Sequence, residues 1–343
     1  MNIWSVVLAG GVGSRFWPMS TPECPKQLLP LVTDQPMLSD TLNRLTTLAP
    51  PERTLILTNA TLREQVAALA PLLPAENIIP EPQPAGTCAA LAWAAHTIAQ
   101  RDGRDAVMVC VHADWSIADV RGYRETLALA AHVAESRKAL VTVGIVPVRP
   151  DPGFGYIRPG ETVSDGVYRV EKFEEKPERA RAAELVADGC LWNSGIFAWR
   201  VGDLLDEIHA HTPEVAGALD EFSTNVVEFF ANVKAIAVDV GVLERSSNVL
   251  VLPGSFGWDD VGTWSALRRV RTPDHNGNTL QGRTHVLKSG GNVVYADGGA
   301  VVLYGVEDLV VVARAGLVLV TTIDKATDLK ALLDSLPADL RGS

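Results

Sequence analysis

Ile3-Trp4-Ser5-Val6-Val7-Leu8-Ala9 runs without a charge into Gly10-Gly11-Val12-Gly13-Ser14-Arg15-Phe16-Trp17-Pro18, and Pro25-Lys26-Gln27 follows shortly after. A strand-length apolar run that ends in glycines is a strand whose carboxyl end opens into a loop with freely approachable backbone. Around Gly10, Gly11, Gly13 and Ser14 such a loop can turn N–H groups toward polyphosphate oxygens. Arg15 and Lys26 then supply cations for charge that builds on an α-phosphate and on departing pyrophosphate. The glycines alone would serve equally well as a tight turn, so it is their combination with the two cations that points to phosphate chemistry. The loop has neither the Gly-Lys-Ser/Thr of a P-loop nor the downstream acid of a dinucleotide fingerprint.

Further strand-length apolar runs lie at Thr54 to Leu57, Val107 to Val111 and Leu140 to Val146. Helix-period segments alternate with them at Ser39 to Leu48, Leu62 to Leu72, Thr87 to Ala99 and Arg121 to Glu135. This alternation predicts an α/β fold with parallel strands joined by crossover helices and covered on both faces. Ligands of such sheets bind beyond the carboxyl ends of the strands. From about residue 151, turn-rich stretches at Asp151 to Tyr156 and Pro159 to Gly166 precede a second set of strands and helices. That second lobe is expected to share the sheet and cover the acceptor side of a cleft. After Asn276 come short β-type runs, Asn292 to Tyr295, Ala300 to Tyr304 and Leu309 to Val312, and then a closing helix near Ala326 to Ser335. The division expected is a catalytic region over 1–270 and a β-rich module over 271–343.

The 343 residues are 47% hydrophobic and 21% charged, ample for a large core. A net charge of −11 argues against broad binding to nucleic acid or anionic membrane, so an anionic substrate must be held by local cations and backbone N–H groups. The four cysteines, Cys24, Cys88, Cys110 and Cys190, lack zinc or disulfide spacing and read as reduced thiols. With no cationic leader and no run long enough to span a bilayer, a cytoplasmic enzyme is expected.

Leu8 to Pro18 together with Pro25-Lys26-Gln27 resembles the N-terminal signature of the sugar-nucleotide pyrophosphorylases. Phe16-Trp17-Pro18 is most similar to the branch that joins GTP to mannose 1-phosphate, giving GDP-mannose and pyrophosphate. Four more segments carry the resemblance in the same order along nearly the whole chain: Val111-His112-Ala113-Asp114, Glu174-Glu175-Lys176-Pro177, Trp192-Asn193-Ser194-Gly195-Ile196-Phe197, and Gly257-Trp258-Asp259-Asp260-Val261-Gly262-Thr263-Trp264. The resemblance implies a Rossmann-like mixed sheet with a small β-helix-like C-terminal module, expected to self-associate as a homodimer or to pack on the catalytic domain. It makes Arg15 and Lys26 the catalytic cations and gives the nucleotide to Leu8, Gly10, Gly11, Gly13, Ser14, Glu81 and Thr87. It assigns Gly155, Glu175 and Asn193 to the sugar, Lys176 to its phosphate, and Asp114 and Asp260 to Mg²⁺. Two carboxylates completed by water and phosphate oxygens suit that hard cation.

Taken singly these residues have ordinary readings, since an aspartate after a strand is commonly an N-cap and a Glu-Glu-Lys run is commonly a solvated face. Their ordered combination carries the inference. Two departures from the family pattern stand out. Ala85-Gly86 and Cys88-Ala89 flank Thr87 where Arg-Asn and Ala-Pro are usual, and Trp115 replaces a histidine after Asp114. Restoring Arg-Asn at 85 and 86 is expected to sharpen GTP preference if the segment lies along the nucleotide. Alternatives at this stage are another sugar 1-phosphate such as a heptose, another nucleoside triphosphate, or an idle paralogue that binds sugar nucleotide and regulates a partner.

Overall fold

The computed structural model describes residues 1–343 apart from 12, 315, 338, 339 and 341–343, so Val12 of the glycine loop lies outside the described residues. In chain order the strands are β1 (Ile3–Ala9), β2 (Thr54–Asn59), β3 (Ile78–Glu81), β4 (Val107–His112), β5 (Ser116–Ile117), β6 (Leu140–Ile145), β7 (Tyr156–Ser164), β8 (Val167–Glu174), β9 (Leu191–Arg200), β10 (Val249–Gly254), β11 (Trp258–Asp259), β12 (Thr279–Leu287), β13 (Val293–Tyr304), β14 (Leu309–Arg314) and β15 (Leu317–Thr322). They fall into two compact units: Met1–Gly10, Leu42–Ala113 and Asp119–Gly257 in the first, and Gly11–Thr41, Asp114–Ala118 and Trp258–Ser343 in the second.

The first unit carries a nine-stranded mixed sheet in the order β3-β2-β1-β4-β9-β6-β10-β8-β7. Strands β3, β2, β1 and β4 run parallel, as their alternation with helices requires. Strand β9 is inserted antiparallel between β4 and β6. Every residue of β1 from Trp4 to Ala9 is buried, the signature of a strand covered on both faces. Helices α1 (Met37–Leu45), α2 (Arg63–Leu69), α3 (Gly86–Asp102) and α4 (Val120–Arg137) fill the four predicted helical segments. Helix α2 is shorter than expected. The Asn59 side chain accepts the Thr61 N–H to open a 3₁₀ turn before it, and Pro71 lies just beyond its end. Helix α3 buries Cys88, Ala89, Ala90, Leu91, Ala92, Ala94, Ala95 and Ile98. Small side chains on most of its circumference let it sit inside the core with Trp199, Phe229 and Phe230.

Pro159 to Gly166, read from sequence as a turn region, is largely strand. Strand β7 continues to Ser164 at the edge of the sheet, with register irregularities around Pro159. An edge strand tolerates a residue that cannot donate a ladder hydrogen bond.

The second unit combines the antiparallel pair β5–β11 with a sheet of order β12-β13-β14-β15, whose first three strands are parallel. Buried Asn278 and Asn292 stack along its turns, with Asn292 Nδ2 donating to Asn278 Oδ1 at 2.9 Å and the Leu309 N–H donating to Asn292 Oδ1 at 3.0 Å. The separate runs 292–295 and 300–304 expected from sequence form one strand, β13, because Asp297-Gly298-Gly299 is absorbed where the register with β12 shifts. The closing helix is also shorter than expected: a 3₁₀ turn at Lys325–Thr327, an extended Asp328, then helix only over Lys330–Ser335. Phe16, Trp17, Leu29 and Leu31 share a core with Trp264, Tyr295, Val310 and Val312. Trp264 Nε1 donates to the Trp17 carbonyl at 3.0 Å, and Arg314 Nη1 to the Pro18 carbonyl at 2.9 Å. Among the described residues, no helix is long and apolar enough to cross a membrane.

Candidate active site

The predicted site residues form two groups, one in each unit. In the second unit, the buried Lys26 ammonium donates to Asp114 Oδ2 at 3.0 Å and to the Asp260 carbonyl at 2.5 Å. Segments 88 and 234 residues away thus meet at one nitrogen atom. The loop reaches this position because Gly13 is left-handed at φ 65°, where a Cβ would lie 2.4 Å from Lys26 Cβ. No other residue type fits so close an approach in that conformation. The Ser20 hydroxyl fixes the turn by donating to the Gly13 carbonyl at 2.6 Å. Gly11, Ser14 and Arg15 are exposed.

Asp259 and Asp260 have different duties. Asp259 is buried, accepts both Nε and Nη2 of Arg269 at 2.7 and 3.0 Å, and accepts the Val261 N–H at 2.9 Å. That carboxylate is committed to structure, whereas Asp260 is partly accessible. A Cβ on Gly262 would stand 2.7 Å from Asp260 Oδ2 and 3.5 Å from Arg15 Nη1, so Asp260 and Arg15 flank the same glycine. Val261, between the two aspartates and glycine, is held at φ 47°, a strained conformation for a β-branched residue. Trp115 packs edge-on against Trp258 at 5.8 Å. Among the described residues no group of three or more His, Cys, Asp or Glu side chains is poised to hold a metal ion. The Asp114 carboxylate and the Asp260 backbone carbonyl meet at one ammonium, and the Asp260 side chain is partly accessible; oxygen donors of this kind are the type a hard cation that keeps several waters accepts.

In the first unit, Glu81 closes β3 with its carboxyl beside Gly10, where a Cβ would lie 3.6 Å from Oε1. Burial pushes its pKa up to about 7. Leu8 is a buried core residue whose carbonyl accepts the Ala113 N–H at 2.9 Å. Thr87 lies in the first turn of α3, and its hydroxyl oxygen accepts the Val238 N–H at 2.9 Å. The departure at Gly86 has a steric cause: it sits at φ 79°, and a Cβ there would be 2.3 Å from the Ile236 carbonyl oxygen. Ala85 is 2% exposed. Restoring Arg-Asn at 85 and 86 would therefore bury a guanidinium and push on backbone, and it cannot serve as the gentle probe of base preference that the sequence invites.

The sugar-assigned residues lie together in the same unit. Between Val143 and Gly144 the register of β6 with β9 slips, pairing Val143 with Ile196 but Gly144 with Asn193. This bulge, fixed by Ser194 Oγ donating to the Val143 carbonyl and by Gly195 at φ 73°, re-aims Asn193. The Asn193 N–H donates to the Gly155 carbonyl at 2.8 Å. A Cβ on Gly155 would stand 2.5 Å from Glu175 Oε2 and 3.5 Å from Asn193 Cβ. Lys176, left-handed at φ 43°, pairs with Glu175 at 2.9 Å. The sequence reading missed Asp239, whose Oδ1 accepts Asn193 Nδ2 at 2.7 Å. Burial raises its pKa, and the bond from Asn193 opposes that rise. Its one signal in the sequence is a lone acid in the otherwise apolar run Ile236 to Val242.

The chain is similar to known proteins in both sequence and fold. The profile of the family described as "Nucleotidyl transferase" matches residues 4–277, and that of "MannoseP isomerase/GMP-like beta-helix domain" matches residues 282–336. A mannose-1-phosphate guanylyltransferase of Escherichia coli strain K12 is 36% identical over 99% of this chain and 74% of that protein. The alginate biosynthesis protein AlgA of Pseudomonas aeruginosa is 35% identical over 98% of this chain and 72% of its own. The chain thus spans roughly three quarters of the length of these relatives. A crystal structure from Thermus thermophilus, described as a mannose-1-phosphate geranyltransferase, superposes with a TM-score of 0.90 at 36% identity, covering 97% of this chain and 99% of that one. Matched along almost its whole length in sequence and in fold, the chain belongs to the nucleotidyl transferase family, within its mannose-1-phosphate guanylyltransferase branch.

Proposed function

We propose that the protein transfers the guanylyl group of GTP to mannose 1-phosphate, forming GDP-mannose and pyrophosphate. The observation that carries this reading is the Lys26 ammonium held between the Asp114 carboxylate and the Asp260 carbonyl, next to a glycine loop that opens from β1. Relatives bearing this activity in their names, at over a third identity along nearly the whole chain, support the choice of substrates.

A phosphate oxygen of the sugar 1-phosphate attacks the α-phosphorus of GTP. The new P–O bond forms as the bond to the α,β-bridging oxygen breaks, and pyrophosphate leaves with that electron pair. No protein nucleophile is needed, so the residues act by placement and charge compensation. Backbone N–H groups around Gly11, Gly13 and Ser14 receive the triphosphate, while Arg15 and Lys26 stabilise charge on the α-phosphate and the leaving pyrophosphate. Asp114 and Asp260 would hold Mg²⁺, which when bound supplies further positive charge at the phosphate oxygens. Lys176 takes the phosphate of the sugar, and Gly155, Glu175 and Asn193 take its hydroxyls. Glu81, ionised, is an acceptor-only group that matches the paired N1–H and amino donors of guanine. Thr87 completes the nucleotide set. A cytoplasmic setting and self-association through the β12–β15 sheet belong to the same proposal. The exposed Val302, Tyr304, Val318 and Val320 support that association.

Turnover with a panel of triphosphates and sugar 1-phosphates tests the reading. GTP with mannose 1-phosphate should exceed every other pair at equal concentration, because another base leaves polar groups of the site unpaired. With the Glu81 pKa raised to about 7, its ionised fraction grows as pH rises through neutrality, so the KM for GTP should fall over that range. Faster turnover of ATP, UTP or dTTP would remove the guanylyl assignment.

A further inference from the structure

We propose that Asp239 is a sugar-positioning residue, whose carboxylate holds the Asn193 amide in the single orientation that meets a hydroxyl of the sugar 1-phosphate. The inference rests on the guanylyltransferase reading and concerns the sugar half of that reaction.

An asparagine amide has two nearly equivalent ends, and its neighbours decide which is which. At Asn193 they decide it twice. An aspartate carboxylate only accepts, so the 2.7 Å contact to Asp239 Oδ1 fixes the amide nitrogen on that side. The Gly195 N–H only donates, so its 3.3 Å contact fixes the amide oxygen on the other. These two contacts use one of two amide hydrogens and one of two oxygen lone pairs. What remains, one donor and one acceptor, is the complement of a hydroxyl, which also offers one of each.

The setting of Asp239 supports a functional rather than an incidental bond. It begins a π-helical turn, Asp239–Leu243, in which the Glu244 N–H donates to the Asp239 carbonyl at 2.8 Å. Such turns are rare and concentrate at functional sites. The turn is anchored elsewhere, by the Thr212 hydroxyl donating to the Gly241 carbonyl at 2.6 Å, so the carboxylate is not its sole support. Glu175, assigned to the sugar, bears electrostatically on the same carboxylate, which places Asp239 beside the sugar group. The chain just before Asp239 is bonded to the nucleotide segment, with the Val238 N–H donating to Thr87 Oγ1 and the Cys88 N–H to the Ile236 carbonyl at 3.2 Å. A merely structural Asp239 would disturb Thr87 when removed, and that consequence separates the two roles.

Steady-state kinetics and calorimetric titration with mannose 1-phosphate would be carried out on wild type, Asp239→Ala and Asp239→Asn. Asp239→Ala should raise the KM for mannose 1-phosphate about tenfold, leave the KM for GTP within about twofold, and weaken sugar binding in the titration by a similar factor. Asp239→Asn, whose amide oxygen can still accept from Asn193, should recover most of the loss. Equal sugar affinity in wild type and Asp239→Ala, or a parallel rise in both KM values, overturns the positioning role. Absence of mannose 1-phosphate turnover in the wild type overturns the guanylyltransferase reading itself, and this inference with it.

Discussion

The cation group of the second unit and the sugar group of the first are built differently. Lys26 is 5% exposed, wedged against Gly13 and bonded to two aspartates, and Val261 beside it is held in a strained conformation. The Lys176 and Glu175 side chains are 66% and 52% exposed and bonded to each other. Groups that stabilise charge developing on a phosphoryl group act best when already in place, since any rearrangement during the reaction subtracts from their effect. Groups that grip a ground-state ligand need no such rigidity. An exposed ion pair contributes little to stability, so Lys176 can exchange Glu175 for a sugar phosphate at small cost. Asn193 lies between these extremes: partly accessible, yet locked by Asp239 and Gly195.

The contrast can be broken most directly at the fixed end. Lys26→Ala or Arg15→Ala should lower kcat by about 100-fold or more, with secondary structure retained by circular dichroism. Near-normal turnover in both variants would show that the loop is only a turn. Asp114→Asn and Asp260→Asn should each raise the Mg²⁺ concentration for half-maximal rate about tenfold, read from activity titrated from chelator upward. Full activity in excess chelator would remove the ion from the scheme. The smallest effect belongs to the adaptable end. Lys176→Ala should raise the KM for mannose 1-phosphate by roughly fivefold and leave kcat within about twofold, as expected of a ground-state contact. A large loss of kcat there would erase the distinction between the two regions and place Lys176 in the transition state.

Much of this site was legible because its signals are local. The run of buried residues in β1, the glycines after it and the cations within the next stretch are adjacent in sequence, and each constrains its neighbours. Helix and strand identity followed from periodicity, while ends shifted where a capping side chain such as Asn59 or a proline such as Pro71 intervened. Glycines misled where they serve a bulge rather than a turn, as in Asp297-Gly298-Gly299 inside β13. Gly86 misled in another way: it reads as a lost asparagine, but the Ile236 backbone leaves no room for a side chain in its conformation.

Read alone, the sequence settles the α/β alternation and shows a glycine-rich loop after β1 with Arg15 and Lys26 close behind it. Those depend on neighbours a few positions apart, whose periodicity and turn chemistry act before any long-range contact forms. Packing of the folded chain selects which of two adjacent aspartates is spent on Arg269, and brings residues 13–26 into a core with strands far later in the chain. It also sets Asp239 against Asn193 across 46 residues. Such pairings arise when the chain packs, because hydrogen bonds and close backbone approaches depend on separations in space, which no local pattern records.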